Sequence, residues 1–293
     1  MRFDFTSEVA RRQYEATQAF AEAFRGEPAP PHLAQLPQVL VTGFGRFLHH
    51  ADNASGHLVS ALVPTVKYPR TSRGDESQVD LPEPQFARAW HEAVLPSGKH
   101  VALCGMIVPV QWGLGPALLA KQCASMSPAF VMMNGIAGAA QPLWLERGAA
   151  NVAAAKVDGT GLLRPVELEG GGAQPLVPGA PPALPCFASF DELRAAADEE
   201  ILSAIAERPE ENLGDVLPGA LLQVAARADN RYLCNELTFA ACRLFRETKT
   251  PFVFLHWPSS MTAPHIAVGT RVLTRLVDVE LSGTTKRSAG VAP

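Results

Sequence analysis

Three short segments each place a potentially catalytic side chain at the edge of an apolar run. Glu146 follows the apolar residues 143–145, Cys234 stands in the sequence YLCN, and His256 ends the apolar run FVFLH. A thiol hydrolase needs these residue types: a thiolate attacks, an imidazole takes and returns its proton, and a carboxylate fixes the imidazole's tautomer. Because the segments are far apart in sequence, we predict that the fold assembles them into one Cys–His–Glu site.

The elements that would carry these residues follow from the apolar runs. Reactive groups in open α/β sheets gather at the carboxyl ends of strands, where His256 is expected. Cys234 is expected near the first turn of a helix, where unpaired N–H groups and the helix dipole favour a thiolate and could stabilise an oxyanion. Glu146 is expected to enter from a neighbouring strand. A cysteine at a helix start also fits simple core packing, so this pattern alone leaves both interpretations open.

Apolar runs of strand length alternate along the chain with stretches of helical length. Such alternation is typical of an α/β sandwich with a largely parallel sheet. Strands are predicted at 38–43, 101–110, 129–136, 220–226 and 252–256, and helices at 53–63, 116–121, 189–201, 235–245 and from 264 onward.

The chain is predicted to form one large domain with appended segments. Residues 1–37 form an N-terminal helical extension, whose helix (about 6–24, capped by Thr6 or Ser7) is broken by a proline-rich stretch. The domain itself spans 38–281. A Gly- and Pro-rich stretch at about 158–218 is interpreted as a surface insertion and candidate lid, and 282–293 as a disordered tail.

The composition argues against several classes of protein. With 293 residues and 47% hydrophobic content, the chain can bury a substantial core. A net charge of −4 does not suggest a nucleic-acid partner, and no apolar run reaches the roughly 18 residues of a membrane span. Five scattered cysteines without a C-x-x-C pair argue against a disulfide framework or zinc site, and the N-terminus lacks a signal-like apolar stretch. We therefore predict a cytoplasmic protein.

Two further motifs do not support a site. The segment 41–47, VTGFGRF, contains Gly43-x-Gly45 but lacks the third glycine of a dinucleotide-binding loop. His49, His50 and His57 are close in sequence, but solvated surface histidines are far more common than metal ligands. We therefore predict neither a dinucleotide nor a metal.

Four segments resemble motifs of the pyroglutamyl peptidase type I (pyrrolidone-carboxylate peptidase) family of cysteine peptidases. VTGFGRF, followed by Asn53-Ala-Ser, resembles the family's V-T-G-F-x-x-F and N-P-S. GIAGAAQPLWLER (135–147) keeps the family's glycine-to-glutamate spacing, and YLCN (232–235) and FLHWP (254–258) match Y-x-C-N and F-x-H-x-P. The four motifs occur in the family's order.

The resemblance covers about residues 38–280 and implies both fold and reaction. The fold would be a single three-layer α/β/α sandwich with a largely parallel mixed sheet. The reaction would be hydrolysis of the amide after an N-terminal pyroglutamyl residue, with a blocked peptide as substrate and no metal or organic cofactor. Cys234 would be the nucleophile, His256 the general base and then acid, and Glu146 the orienting carboxylate. Family members are often tetramers, so a homo-oligomer is an expectation.

The resemblance also implies a substrate pocket, in which two aromatic walls would suit a flat lactam ring. Phe44 and Phe47 would supply the walls, although both also fit ordinary core packing below the first strand. The predicted substrate-binding residues are Phe44, Phe47, Asn53, Ile136 and Lys156.

The chain departs from the family's motifs around this pocket. Ile136 stands where the family has Gln and Ala140 where it has Arg, while Lys156 replaces an Arg and loses its planar fork. An isoleucine side chain cannot form hydrogen bonds. The leading hypothesis is therefore a cysteine amidohydrolase acting on a pyroglutamyl or related small acyl group. The alternative is a non-catalytic or re-specialised relative that binds a ligand or partner through the same pocket.

Overall fold

The protein is described by a computed structural model over residues 1–5, 7–75, 77–223 and 229–289, with side chains to residue 283. The strands are β1 (Gln38–Phe44), β2 (Ala87–Val94), β3 (His100–Val108), β4 (Phe130–Ile136), β5 (Leu143–Glu146), β6 (Gly148–Ala150), β7 (Ala183–Pro185), β8 (Ala220–Gln223) and β9 (Phe252–Trp257). The α-helices are α1 (Glu8–Ala23), α2 (Ala54–Leu62), α3 (Leu114–Met126), α4 (Phe190–Glu207), α5 (Leu233–Leu244) and α6 (Ala263–Ala289).

A seven-stranded mixed sheet in the order β2-β3-β1-β4-β9-β5-β8 forms the centre of the fold. The central neighbours β3, β1, β4 and β9 are parallel, and β5 is parallel to β8. Two pairings are antiparallel: β2 with β3 and β5 with β9. The interior strands are buried along almost their whole length because helices cover both faces of the sheet.

The helices form two layers. On one side, α6 packs against α2 and α4, and on the other, α3 packs against α1 and α5. The predicted α/β/α sandwich with a largely parallel mixed sheet is confirmed. The strand β2 was not predicted, because its sequence ARAWHEAV mixes charged and apolar residues, as suits an edge strand exposed on one side.

Part of the region predicted to be a surface insertion belongs to the sandwich. The helix α4 packs against α6 and β8 and buries Leu193, Ala197 and Ile201. Its interpretation as part of an exposed lid is therefore corrected: this helix covers one end of the sheet. The stretch between Asp158 and β7 is mostly irregular, as its glycines and prolines predict.

The N-terminal helix is joined to the domain by buried polar contacts. Ser7 caps α1 by accepting a hydrogen bond from the Ala10 amide at 3.0 Å, while Thr6 lies outside the described residues. The fully buried Gln13 donates to the Asp80 carbonyl oxygen at 3.0 Å and accepts from the Asp80 amide at 2.6 Å. Thr17 donates to the Gln111 side chain at 2.9 Å.

Two chain segments differ in extent from the prediction. The predicted strand 220–226 is present to Gln223, and 224–226 lie outside the described residues. The helix α6 continues to Ala289, so the tail predicted from 282 is helical up to that point, and 290–293 lie outside the described residues. None of the helices in the described ranges has both the length and the apolar character needed to cross a membrane.

Candidate active site

The geometry of one antiparallel strand pair brings Glu146 and His256 together. Glu146 is the last residue of β5, and His256 is the next-to-last residue of β9. Glu146 pairs with Phe254, two residues before His256, so both side chains project from the same face of the sheet. His256 Nδ1 and Glu146 Oε1 are 2.7 Å apart, and both side chains are almost fully buried. The predicted approach of the carboxylate from a neighbouring strand is observed.

Cys234 reaches the same point from the helix layer. It is the second residue of α5, whose N-cap Tyr232 makes no side-chain capping hydrogen bond. A Cβ atom placed on Gly135 would lie 2.8 Å from the Cys234 sulfur, and Gly135 pairs directly with His256 across β4 and β9. The Cys234 thiol lies next to the His256 imidazole and raises its pKa. The carboxylate, imidazole and thiol therefore lie in that order in one cluster, in which Glu146 and His256 are hydrogen-bonded.

Charge interactions among Glu146, His256 and Cys234 favour a protonated His256 imidazole. Burial alone lowers the pKa of His256, but the neighbouring Cys234 and the hydrogen-bonded Glu146 outweigh burial and raise the pKa to about 9. A positively charged imidazole between a sulfur and a carboxylate is the arrangement that stabilises a thiolate nucleophile. The Phe254 ring, 4.8 Å from the imidazole ring centre, packs against His256 and limits its rotation.

Asn235, which was not predicted, fixes the start of α5. Its side chain accepts from the Ala150 amide at 2.9 Å and donates to the carbonyl oxygens of Ala150 and Val152 at 2.8 and 2.9 Å. These bonds tie the first turn of α5 to β6, just beyond Glu146. The position of Asn235 directly after Cys234 in YLCN is the only feature of the sequence that points to this role.

Cys234 differs from the other four cysteines in its surroundings. Cys104, Cys123, Cys186 and Cys242 are buried free thiols, whereas Cys234 is partly exposed. Burial raises the pKa of Cys104 and of Cys123 to about 12, which keeps both as unreactive thiols at neutral pH. Cys234 is therefore both accessible to solvent and next to an imidazole.

A small pocket opens beside the Cys234 sulfur. Its volume is about 270 Å³, close to the lower limit of roughly 300 Å³ for small-molecule sites. Four of the five predicted binding residues line it together with the nucleophile: Phe44, Phe47, Asn53 and Ile136. The two phenylalanines are thus pocket walls as well as neighbours of the core.

Several lining residues were not predicted. Val110 lies just beyond the end of β3, and Ala137, Gly138 and Ser259 belong to the loops that follow β4 and β9. These residues could have been predicted from their positions directly after the ends of strands. Tyr232 and Leu233 complete the wall. The Tyr232 ring packs edge-on against Trp112 and Phe47, with centroid distances of 5.3 and 6.2 Å.

Lys156 does not line this pocket, which corrects the prediction for that residue. It lies in an adjoining hollow, on the other side of Phe47 and Tyr232, together with Arg164. Its segment is held there because the Ala154 amide donates to the Arg231 carbonyl oxygen at 2.7 Å. Ala140, the other departure from the family motif, is exposed and is not a lining residue.

The side chain of Asn53 supports the pocket wall. It caps α2 by accepting from the Ser55 amide at 3.1 Å and from the Ser55 hydroxyl at 2.8 Å, and it donates to the Gly45 carbonyl oxygen at 3.0 Å. The Ser55 hydroxyl in turn accepts from the Phe44 amide at 3.0 Å. The start of α2 therefore holds the loop that carries both phenylalanines.

The residues that the structure describes contain no group of three or more His, Cys, Asp or Glu side chains arranged to hold a metal ion. The histidines considered in the sequence have other neighbours: His57 lies 2.9 Å from an Asp52 oxygen and stacks on Tyr68, and His49 lies near Arg73.

Comparison with known proteins identifies the fold. No family model and no curated protein sequence matches the chain. Pyroglutamyl peptidase I from Bacillus amyloliquefaciens is structurally similar, with a TM-score of 0.57 and 18% identity over 84% of this chain and 97% of that one. Pyrrolidone carboxyl peptidase from Thermococcus litoralis gives a TM-score of 0.54 and 15% identity over 86% and 96%. A mutant pyrrolidone carboxyl peptidase from Pyrococcus furiosus gives 0.52 and 17% over 84% and 99%. The chain has the fold of the pyroglutamyl peptidase I structures.

Proposed function

We propose that this protein is a divergent member of the pyroglutamyl peptidase I family. It is a cysteine amidohydrolase that removes a pyroglutamyl or related small acyl group from the N-terminus of a peptide. The observation that carries the proposal is the cluster of Glu146, His256 and Cys234, with Glu146 hydrogen-bonded to His256, beside a small, aromatic-walled pocket. A buried carboxylate, an imidazole and an accessible thiol in that order are the parts that nucleophilic acyl transfer requires.

The mechanism begins with the substrate's acyl group in the pocket and its carbonyl carbon at the Cys234 sulfur. The thiolate attacks that carbon, and the unpaired N–H groups at the start of α5 are oriented to stabilise the resulting oxyanion. As the C–N bond breaks, His256 transfers its proton to the departing amine, which leaves a thioester on Cys234. His256 then takes a proton from water, whose oxygen attacks the thioester and releases the acid. Glu146 holds the imidazole in one orientation throughout.

The test is hydrolysis of a pyroglutamyl-linked fluorogenic amide, with a panel of other small acyl amides alongside. Wild type is expected to turn over at least one of them, and Cys234→Ala is expected to lose turnover while keeping its unfolding midpoint. Cys123→Ala, at a buried cysteine near the C-terminal end of α3, is the matched control and should remain active. A wild type that is inert on the whole panel would remove the enzyme proposal.

The second candidate is a binding protein that uses the same pocket without turnover. It is favoured by one observation, the presence of the apolar residue Ile136 in the pocket lining. An inert wild type that binds small acyl amides by calorimetry, with binding lost in Phe47→Asp, would support this candidate instead.

The wider setting belongs to the same proposal. We propose a peptide with a blocked N-terminus as substrate, a cytoplasmic location, and a homo-oligomer. Light scattering coupled to size-exclusion chromatography tests the last of these, since a mass of 31.3 kDa would identify a monomer.

A further inference from the structure

The pocket beside Cys234 offers a substrate almost no polar side-chain atoms. Among the described residues, Cys234 is the only lining side chain that can carry a charge. Asn53 is the most polar buried lining residue; its oxygen accepts from Ser55, and one of its two N–H groups donates to the Gly45 carbonyl. The Tyr232 hydroxyl is also engaged, because it donates to the Val157 carbonyl oxygen at 2.6 Å. Ser259 is exposed rather than enclosed.

Several backbone groups on the β1 and β4 side of the pocket are engaged in the same way. The Phe44 amide donates to Ser55, the Gly45 amide to the Val108 carbonyl, and the Ala137 amide to the Trp257 carbonyl. The Gly138 carbonyl accepts from the Ser259 amide at 2.7 Å. Apart from the amides at the start of α5, the lining residues named here offer a ligand mainly apolar contact, from Phe44, Phe47, Val110, Ile136 and Leu233.

An apolar lining has a direct consequence for the entering acyl group. A ring amide placed there gives up its hydrogen bonds to water, and burying a polar group without replacement bonds is unfavourable. A carbocyclic ring of the same size has no hydrogen bonds to water to lose, and it makes the same apolar contacts. The pocket volume of about 270 Å³ sets the upper limit to a small ring or a short branched chain.

We propose that the site selects small, uncharged, apolar acyl groups, of the size of a five-membered carbocycle, over the lactam ring of pyroglutamate. This inference rests on the proposed amidohydrolase function and specifies its substrate class. The acyl carbon forms a bond to the Cys234 sulfur as its bond to nitrogen breaks, and His256 supplies the proton to the amine. Water then restores the thiol and releases a small apolar carboxylic acid, with no change in oxidation state.

Ile136 is the specificity-determining residue in this proposal. It is the last residue of β4, is partly buried and is one of the residues that line the pocket. A glutamine at this position would have similar length and would add an amide donor and acceptor. A leucine would keep the wall apolar. The pair Ile136→Gln and Ile136→Leu therefore separates polarity from shape.

The experiment compares two fluorogenic amides with the same leaving group, one cyclopentanecarbonyl and one pyroglutamyl. For wild type, kcat/KM is expected to be about tenfold higher for the cyclopentanecarbonyl amide, as loss of one hydrogen-bonded polar pair predicts. Ile136→Gln should reduce that ratio about tenfold, and Ile136→Leu should leave it within about twofold.

The outcomes separate the inference from the proposed function. A wild type that prefers the pyroglutamyl amide overturns the inference and leaves the amidohydrolase intact. A ratio that is the same in Ile136→Gln and wild type also overturns the role of Ile136. Cleavage of neither amide, nor of any other acyl amide, removes the function and the inference together. If Ile136→Gln does not fold, inhibition of wild type by cyclopentanecarbaldehyde and by the pyroglutamyl aldehyde gives the same comparison.

Discussion

Gly135 and Cys234 are in such close contact that position 135 has no room for a side chain. A Cβ atom there would lie 2.8 Å from the Cys234 sulfur and 2.8 Å from the Phe254 ring. Gly135 also pairs with His256 across the sheet, so the missing side chain lets Cys234 approach His256 across β4. The first residue of the motif GIAGAAQPLWLER thus has a steric role at the reactive sulfur.

We predict that Gly135→Ala lowers kcat/KM by about a hundredfold, because a shift of about 1 Å at a reacting group can cost that much. The measurement is steady-state hydrolysis with the unfolding midpoint recorded in parallel. Gly115→Ala is the matched control, since its Cβ would lie 3.5 Å from Leu237, an ordinary contact. Full activity in Gly135→Ala would show that Cys234 does not need its present position.

The hydrogen bond between Glu146 and His256 gives a prediction about pH. The pKa of His256 is raised to about 9, partly by Glu146, so the protonated imidazole needed by the leaving amine is lost only as the pH rises through about 9. In Glu146→Gln the alkaline limb of kcat/KM should move to lower pH, and the maximal rate should fall by about 10²–10⁴-fold. An alkaline limb that does not move in the variant contradicts the orienting role of Glu146.

A buried ion pair supports the loop that carries the two pocket phenylalanines. The Arg46 guanidinium, 2% exposed, donates to both oxygens of Asp80 at 2.8 and 2.6 Å. Asp80 in turn is held by Gln13 of α1 and by Gln85. The N-terminal helix therefore reaches the pocket wall through Asp80 and Arg46.

We predict that Asp80→Asn lowers the free energy of unfolding by about 3 kcal/mol, because it leaves the buried Arg46 charge without its partner.

Gln13→Ala should lower the free energy of unfolding by about 1–2 kcal/mol. It should also raise KM more than it lowers kcat, because the pocket wall loses support while Glu146, His256 and Cys234 are untouched. Arg11→Ala, on the exposed face of α1, is the control. A fall in kcat with no change of KM in Gln13→Ala would contradict the proposed support of the pocket wall by Gln13.

Glu236 predicts a stability effect with a defined pH range. Burial, together with repulsion from Asp158, raises the pKa of this carboxyl to about 8. The Gly113 amide, which donates to both carboxyl oxygens at 3.1 Å, opposes this shift because it lowers the pKa. A raised carboxyl pKa favours the neutral folded form. Its contribution to stability is therefore largest below about pH 4.5 and declines as the pH rises toward 8. Glu236→Gln should flatten this decline, with a gain on the order of 1–3 kcal/mol at pH 8 and little at pH 4.5. Chemical denaturation at both pH values measures it, and equal pH slopes in variant and wild type would count against it.

The approach of Cys234 and His256 could be predicted from the sequence because one lies at the start of a helix and the other near the end of an apolar strand, and such positions converge at one edge of a parallel sheet. Glu146 joins them differently, because β5 runs antiparallel to β9 and places Glu146 opposite Phe254. Phe44, Phe47, Asn53 and Ile136 were predicted from the resemblance of their segments to the family's motifs, and these segments adjoin β1 and β4.

Other features depend on tertiary contacts that leave no local pattern. Lys156 was assigned to the pocket by motif spacing alone, but the Tyr232 hydrogen bond to Val157 holds its segment beyond the aromatic wall. The helix α4 was interpreted as part of an insertion because glycines and prolines surround it. The role of Gln13 could not be predicted, because its partner Asp80 is 67 residues away.

The most direct measurement of the central claim is the rate of alkylation of each cysteine by limiting iodoacetamide at pH 7, mapped by peptide mass spectrometry in wild type and in His256→Ala. Cys234 should be modified well before the four buried cysteines in wild type, and at least about tenfold more slowly in His256→Ala, because the variant lacks the imidazole that stabilises the thiolate. A Cys234 rate that is unchanged in His256→Ala, or no faster than that of the buried thiols, would contradict the catalytic pairing of these two residues.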